Sequence, residues 1–130
     1  MKKLLTDSYY HIYNRGNNKA ILYRKKADYL RFLTYYKKYA SQALDTYAFC
    51  LMPNHFHFLV YTPIRKNGNS LTPKFASKQL SNAFNGYAQK YNLIYNRTGS
   101  LFEKHFKRKV IDSTEYLRQL IIYIHLTKSV

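Results

Sequence analysis

The chain has 130 residues, a length that predicts one domain over residues 1–130. Of these residues 46% are hydrophobic and 18% aromatic, a composition that excludes a wholly disordered chain. Lys and Arg total 22 against 6 Asp and Glu, and the net charge of +16 indicates a polyanionic partner. The sequence has no apolar run of about 18 residues and a single cysteine, Cys50, which excludes a spanning helix, an internal disulfide and a cysteine-based zinc site. We therefore expect a cytoplasmic protein without a membrane partner.

The first half of the chain predicts three strands and one helix. Residues 8–14 are rich in β-formers and end in a cluster of turn residues. Apolar residues recur at steps of three and four over 27–43, which predicts a helix. Two apolar strands, 46–52 and 55–62, follow with a turn at Pro53-Asn54 between them.

The second half predicts a helix, a strand and a final helix. After a loop over 63–71, Thr72 and Pro73 form a typical helix start, which is followed by a helix that breaks at 97–100. The basic segment 105–111 predicts the last strand. Asp112 then opens the final helix, because Glu115 stands three residues later as in a capping box.

This order of elements predicts an α+β fold. Strand, helix, strand, strand, helix and strand match the split βαβ arrangement of ferredoxin-like and RRM-like domains, a four-stranded antiparallel sheet with two helices on one face. One C-terminal helix is left over, and we expect it on the sheet or at its edge.

The segment PNHFHFLV, residues 53–60, places two polar rings in an apolar strand. Since side chains alternate along a strand, His55 and His57 point to one face, about 7 Å apart, and Phe56, Phe58 and Val60 point into the core. Two imidazoles so arranged can share a metal ion. On spacing alone, a pair of hydrogen-bonded surface histidines is at least as common.

Four segments together resemble one protein family. PNHFHFLV resembles the HUH motif of single-tyrosine nucleases and transposases, and three further segments are similar to other parts of that family in the same order. These are YHIYNRGNNK (10–19), RTGSLFEKHFKRKVI (97–111) and EYLRQLIIYIHL (115–126). The chain resembles most the insertion-sequence transposases of this class, especially the REP-associated tyrosine transposases.

The resemblance implies an enzyme that cleaves and rejoins single-stranded or hairpin DNA during transposition. A tyrosine hydroxyl attacks a DNA phosphate and becomes joined to the 5′ phosphate, while His55 and His57 hold Mg²⁺ or Mn²⁺. The family's tyrosine lies in a segment similar to residues 123–128, so the expected nucleophile is Tyr123. Tyr116 is the second candidate, but it falls inside the apolar stripe of the helix, as a core residue would.

The sequence departs from the family at a metal ligand. Thr127 stands where relatives carry Asn or Gln as a third ligand, and a threonine hydroxyl is a poor substitute for an amide oxygen. A weakened or decayed transposase that binds hairpins without cutting therefore stays an alternative. An RRM-like module that binds single-stranded nucleic acid is another, although the aromatic RNP1 pattern of those domains is absent.

The remaining expectations concern the DNA contacts, His11 and the oligomeric state. Basic residues that flank the predicted site are expected to contact DNA phosphates. They are Arg15, Lys19, Arg97, Lys104, Lys107, Arg108 and Lys109. His11, on the first strand, is expected to be merely exposed, with support of the metal site as the alternative. Monomer and homodimer both stay open.

Overall fold

The computed structural model describes residues 4–126 of the chain. Within that range, six strands and three α-helices follow one another. They are β1 (Ser8–Arg15), α1 (Lys26–Ala40), β2 (Asp45–Met52), β3 (His55–Thr62), β4 (Arg65–Lys66), β5 (Asn69–Ser70), α2 (Pro73–Ile94), β6 (Lys107–Val110) and α3 (Thr114–Leu126). None of these helices combines the length and the hydropathy that a bilayer-spanning helix needs.

The main sheet confirms the predicted split βαβ fold. Its strand order is β2-β3-β1-β6, and each neighbouring pair is antiparallel. Helices α1 and α2 pack against each other and share one buried core with the sheet. That core takes alternate residues of the central strands, among them Tyr10 and Ile12 of β1 and Phe56, Phe58 and Val60 of β3. The opposite face of the sheet is therefore left to α3.

Aromatic rings fill the space between the helices and the sheet. Phe58 is fully buried, and its ring stacks on Tyr36 of α1 with 3.9 Å between centroids and 8° between planes. Phe32 of α1 contacts Phe56 and Phe58 of the sheet as well as Phe84 of α2. Since large buried rings supply much of the burial energy of a small domain, this cluster fixes the strand that carries both histidines.

We expect Phe58→Ala to lower the free energy of unfolding by about 3–5 kcal/mol, because it leaves a cavity beside Tyr36. Urea denaturation measures the change. Leu93→Ala is the control, since Leu93 is 77% exposed and its truncation should cost no more than about 0.5 kcal/mol. A loss for Phe58→Ala as small as that of the control would contradict this account of the core.

The structure corrects three predicted boundaries. The final helix begins at Thr114, since the Ser113 hydroxyl accepts a hydrogen bond from the Tyr116 N–H at 3.1 Å, so the predicted start at Asp112 was wrong. The last strand is shorter than predicted, because His105 has a φ of 61° and cannot continue an extended strand. Helix α1 ends at Ala40 rather than at residue 43, and the chain turns over 41–43.

The predicted loop over 63–71 contains the small hairpin β4–β5. Asn67 and Gly68 both have positive φ, 52° and 80°, as a two-residue type I′ turn requires. At the next boundary the prediction is confirmed: the Thr72 hydroxyl accepts a hydrogen bond from the Phe75 N–H, and Pro73 is the first residue of α2.

Candidate active site

Both histidines of β3 lie on the sheet face that α1 and α2 leave uncovered. Phe56, Phe58 and Val60 are fully buried on the other face, as the alternation predicts. His55 and His57 are half-buried, and their ring centroids lie 5.2 Å apart. Two imidazoles therefore stand side by side on a central strand.

Helix α3 crosses this face and brings two tyrosines to the histidines. The Tyr116 hydroxyl lies 2.8 Å from His11 Nδ1 on β1, and the Tyr123 hydroxyl lies 3.5 Å from His57 Nε2 on β3. The helix also contacts β2, so it spans the sheet from the β1 side to the β2 edge. Tyr123 is 42% exposed, so it is not enclosed in the core.

His11 links the two groups, which corrects the expectation that it is merely exposed. Its Nε2 lies 2.8 Å from His57 Nδ1, while its Nδ1 faces Tyr116, so both ring nitrogens are engaged. Alternation along β1 places His11, Tyr13 and Arg15 on one face of the sheet. His11 contacts His57 because β1 and β3 are neighbouring strands in this register. Tyr116 is half-buried and binds His11, so it is a polar contact rather than a core residue.

The three imidazoles are neutral at pH 7. Burial lowers the pKa of His57 to about 4, with a further contribution from His55. The pKa of His11 is also lowered to about 4, mainly by burial and to a smaller extent by electrostatic interaction with His57 and Lys109. The pKa of His55 is lowered by burial and by the charge of Arg15. Each ring therefore keeps one unprotonated nitrogen that can accept a hydrogen bond or bind a cation.

His55 and His57 can supply two of the ligands that a divalent cation needs. His55 Nδ1 lies 2.8 Å from Asn54 Oδ1, and because that oxygen only accepts, His55 carries its proton on Nδ1 and its lone pair on Nε2. Over residues 4–126, no group of three or more His, Cys, Asp or Glu side chains could hold a metal ion. His55 and His57 would thus need further ligands, and Thr127, the predicted third one, lies outside the described residues.

A cavity of about 340 Å³ opens beside the two histidines. Its lining is Tyr13, Asn14, Arg15, Asn54, His55, His57 and Lys107. Glu103 lies next to this cavity and forms ion pairs with two of its basic side chains. Its carboxylate is 2.9 Å from Lys107 Nζ and 3.5 Å from Arg15 Nε. The hydrogen bond from Lys107 and the charges of both cations lower the pKa of Glu103, which is therefore ionised at pH 7. An anion that enters the cavity would compete with this carboxylate for Arg15 and Lys107.

The seven predicted DNA contacts divide into three groups. Arg15 and Lys107 line the cavity, and Lys109 lies over the Tyr116 ring at 4.9 Å on the same face. Lys19, at the end of a short 3-10 helix after β1, and Lys104, in the loop before β6, are both exposed. Arg97 and Arg108 do not join the cluster: Arg97 donates to Asn92 Oδ1 and to loop carbonyls, and Arg108 lies on Phe106 and donates to Ser77.

Comparison with solved structures finds the same fold in transposases. A REP-associated tyrosine transposase bound to a REP hairpin superposes with a TM-score of 0.68 at 13% sequence identity, covering 97% of this chain and 68% of that one. A candidate transposase from Deinococcus radiodurans R1 superposes with a TM-score of 0.56 at 19% identity, covering 100% of this chain and 95% of that one. No model of a known protein family and no curated protein matches the sequence. The chain therefore shares the fold of the proteins that its motifs resemble.

Proposed function

We propose that this chain is a single-tyrosine transposase of the HUH class. It cleaves and rejoins single-stranded or hairpin DNA through a 5′-phosphotyrosine intermediate at Tyr123. The observation that carries the proposal is the distance of 3.5 Å between the Tyr123 hydroxyl and His57 Nε2, on a helix and a strand far apart in sequence. A packing tyrosine has no need to bring its hydroxyl to that histidine.

The proposed reaction assigns one task to each group of side chains. Tyr123 Oη loses its proton and attacks the phosphorus, the bond from phosphorus to the 3′ oxygen breaks, and that oxygen takes up a proton to become a 3′-OH. His55 and His57 would hold Mg²⁺ or Mn²⁺ through Nε2, and the cation would polarise the phosphate as a Lewis acid. Arg15 and Lys107 bind neighbouring phosphates, and reversal of the first step rejoins the strands without an external energy source.

The proposed substrate follows from charge and access. A net charge of +16 suits a nucleic acid. An unpaired strand can bend its backbone to present a phosphate to the exposed Tyr123 hydroxyl, whereas base pairing holds the backbone of a duplex in its helical geometry. The transposase of similar fold was bound to a hairpin. Tyr123 meets His57 of its own chain, so this pair needs no second copy, and a homodimer stays a prediction.

The RRM-like alternative is less well supported. Domains of that type bind single-stranded RNA on the open face of their four-stranded sheet. Here α3 crosses that face, and Leu59 of β3 and Leu120 of α3 are both 4% exposed. The decayed-transposase alternative differs from the proposal at Thr127 and requires a direct test of cleavage.

Cleavage is tested with a pool of single-stranded DNA hairpins that carry randomised flanks and a 3′-end label, incubated with the full chain and Mn²⁺. We expect a labelled protein–DNA product that survives denaturing electrophoresis and requires the cation. Hairpin binding without any such product would contradict the cleavage proposal and favour the decayed copy. Tighter binding of RNA than of DNA at matched salt would favour the RNA-binding module instead.

A further inference from the structure

Three side chains, His57, His11 and Tyr116, form a hydrogen-bonded series that begins at the candidate metal ligand His57 and ends on α3. His57 Nδ1 and His11 Nε2 lie 2.8 Å apart, as do His11 Nδ1 and the Tyr116 hydroxyl. The two imidazoles are nearly parallel, with 28° between their planes and 5.0 Å between their centroids. Tyr13 stacks on His11 with 4.4 Å between centroids and also on His57 with 5.9 Å, so it packs against both imidazoles.

A neutral imidazole carries a single N–H, so the direction of these bonds is coupled. If His57 donates from Nδ1, its Nε2 keeps a lone pair, His11 Nε2 accepts, and His11 must donate from Nδ1 to the oxygen of Tyr116. If the bonds run the other way, Tyr116 donates to His11, His11 donates to His57, and His57 carries its proton on Nε2. Only the first direction leaves His57 Nε2 able to bind a cation.

We propose that His11, backed by Tyr116, is a positioning residue that holds His57 in the tautomer that can bind a cation, with its Nε2 on the side of Tyr123. This inference rests on the proposed function, because it assumes that His57 binds a divalent cation. A hydrogen bond to the second nitrogen of a ligand histidine fixes the orientation of the ring and increases its basicity. Asn54 makes the equivalent bond to His55 Nδ1, so both histidines of the motif have their Nδ1 occupied.

Metal affinity without DNA tests the proposal. The probe is Co²⁺, which imidazole binds more tightly than Mn²⁺ and which is followed by its visible absorption. We expect His11→Phe to weaken Co²⁺ binding by about 10–100-fold, since Phe keeps the ring but removes the acceptor. His11→Gln, whose side-chain oxygen can accept at the same position, should retain the affinity to within about threefold.

The outcomes separate this inference from the proposed function. If His55→Ala with His57→Ala removes Co²⁺ binding and His11→Phe binds as tightly as the natural chain, the positioning role is refuted and the metal site stands. If the double variant binds Co²⁺ as well as the natural chain, the proposed metal site and the positioning role both fail.

A second measurement uses the unaltered chain and so does not depend on how a variant folds. In the Zn²⁺-loaded protein, ¹⁵N chemical shifts and two-bond couplings of the imidazoles report which nitrogen carries each proton. We expect His11 to be protonated on Nδ1, toward Tyr116, and unprotonated on Nε2. A His11 protonated on Nε2 would overturn the proposal, because it could not accept the hydrogen bond from His57.

Discussion

Tyr123→Phe is expected to abolish the covalent protein–DNA product and to reduce strand cleavage by about a thousandfold or more, as loss of a nucleophile does elsewhere. The substitution removes one oxygen and keeps the ring, which contacts His57 edge-on at 5.1 Å. Because Tyr123 is 42% exposed, stability should change by no more than about 0.5 kcal/mol. The product is measured with 3′-labelled hairpin DNA and Mn²⁺ on a denaturing gel.

Tyr47→Phe is the matched control, since Tyr47 is 60% exposed and lies on β2, away from the histidines. It should form the adduct at the natural rate. The assignment would be refuted by an adduct that persists in Tyr123→Phe and disappears in Tyr116→Phe, because Tyr116 is the other tyrosine of α3.

Replacing His55 and His57 together by Ala is expected to abolish cleavage and to leave hairpin binding largely intact. Both imidazoles are neutral, so they release no counterions from DNA, and the slope of log Kd against log salt should stay the same. Affinity and cleavage are measured on the same hairpin over a series of salt concentrations. The expected separation follows from the proposed function, which assigns phosphate binding to the lysines and arginines and the cleavage chemistry to the two histidines.

His105→Asn is the control for the histidine variant. His105 is exposed and has a left-handed backbone, which Asn adopts more readily than Ala does. It should cleave as the natural chain does. If the double variant cuts DNA normally, the histidines hold no catalytic cation; if it loses binding as completely as cleavage, they act in DNA recognition or folding instead.

Local patterns in the sequence were sufficient to predict the fold. The alternation of His55, Phe56, His57 and Phe58 placed each side chain on the face where the structure has it. The start of α2 was predictable as well, because it depends only on two adjacent residues: the Thr72 hydroxyl caps the helix, and Pro73, which lacks an N–H, suits its first position. Competition between neighbouring caps was harder to judge: Asp112 and Ser113 are both good N-caps, and the structure uses Ser113.

The contacts of the site depend on the register between strands and on the direction of α3, and neither can be read from the periodicity of the sequence. His11 and His57 are 46 positions apart, and they meet because β1 and β3 are neighbours in this register. The basic strand shows the same limit. Lys107 and Lys109 face the site, whereas Arg108 points to the helix side, an alternation that the register with β1 fixes.

Mapping the attachment site of the trapped adduct tests the central claim most directly. Trypsin separates the two tyrosines of α3, because residues 110–118 contain Tyr116 alone and residues 119–128 contain Tyr123 alone. After nuclease digestion of the bound DNA, mass spectrometry locates the nucleotide remnant. We expect it on residues 119–128, at Tyr123. A remnant on residues 110–118, or on any other peptide of an active preparation, would contradict the assignment of the nucleophile.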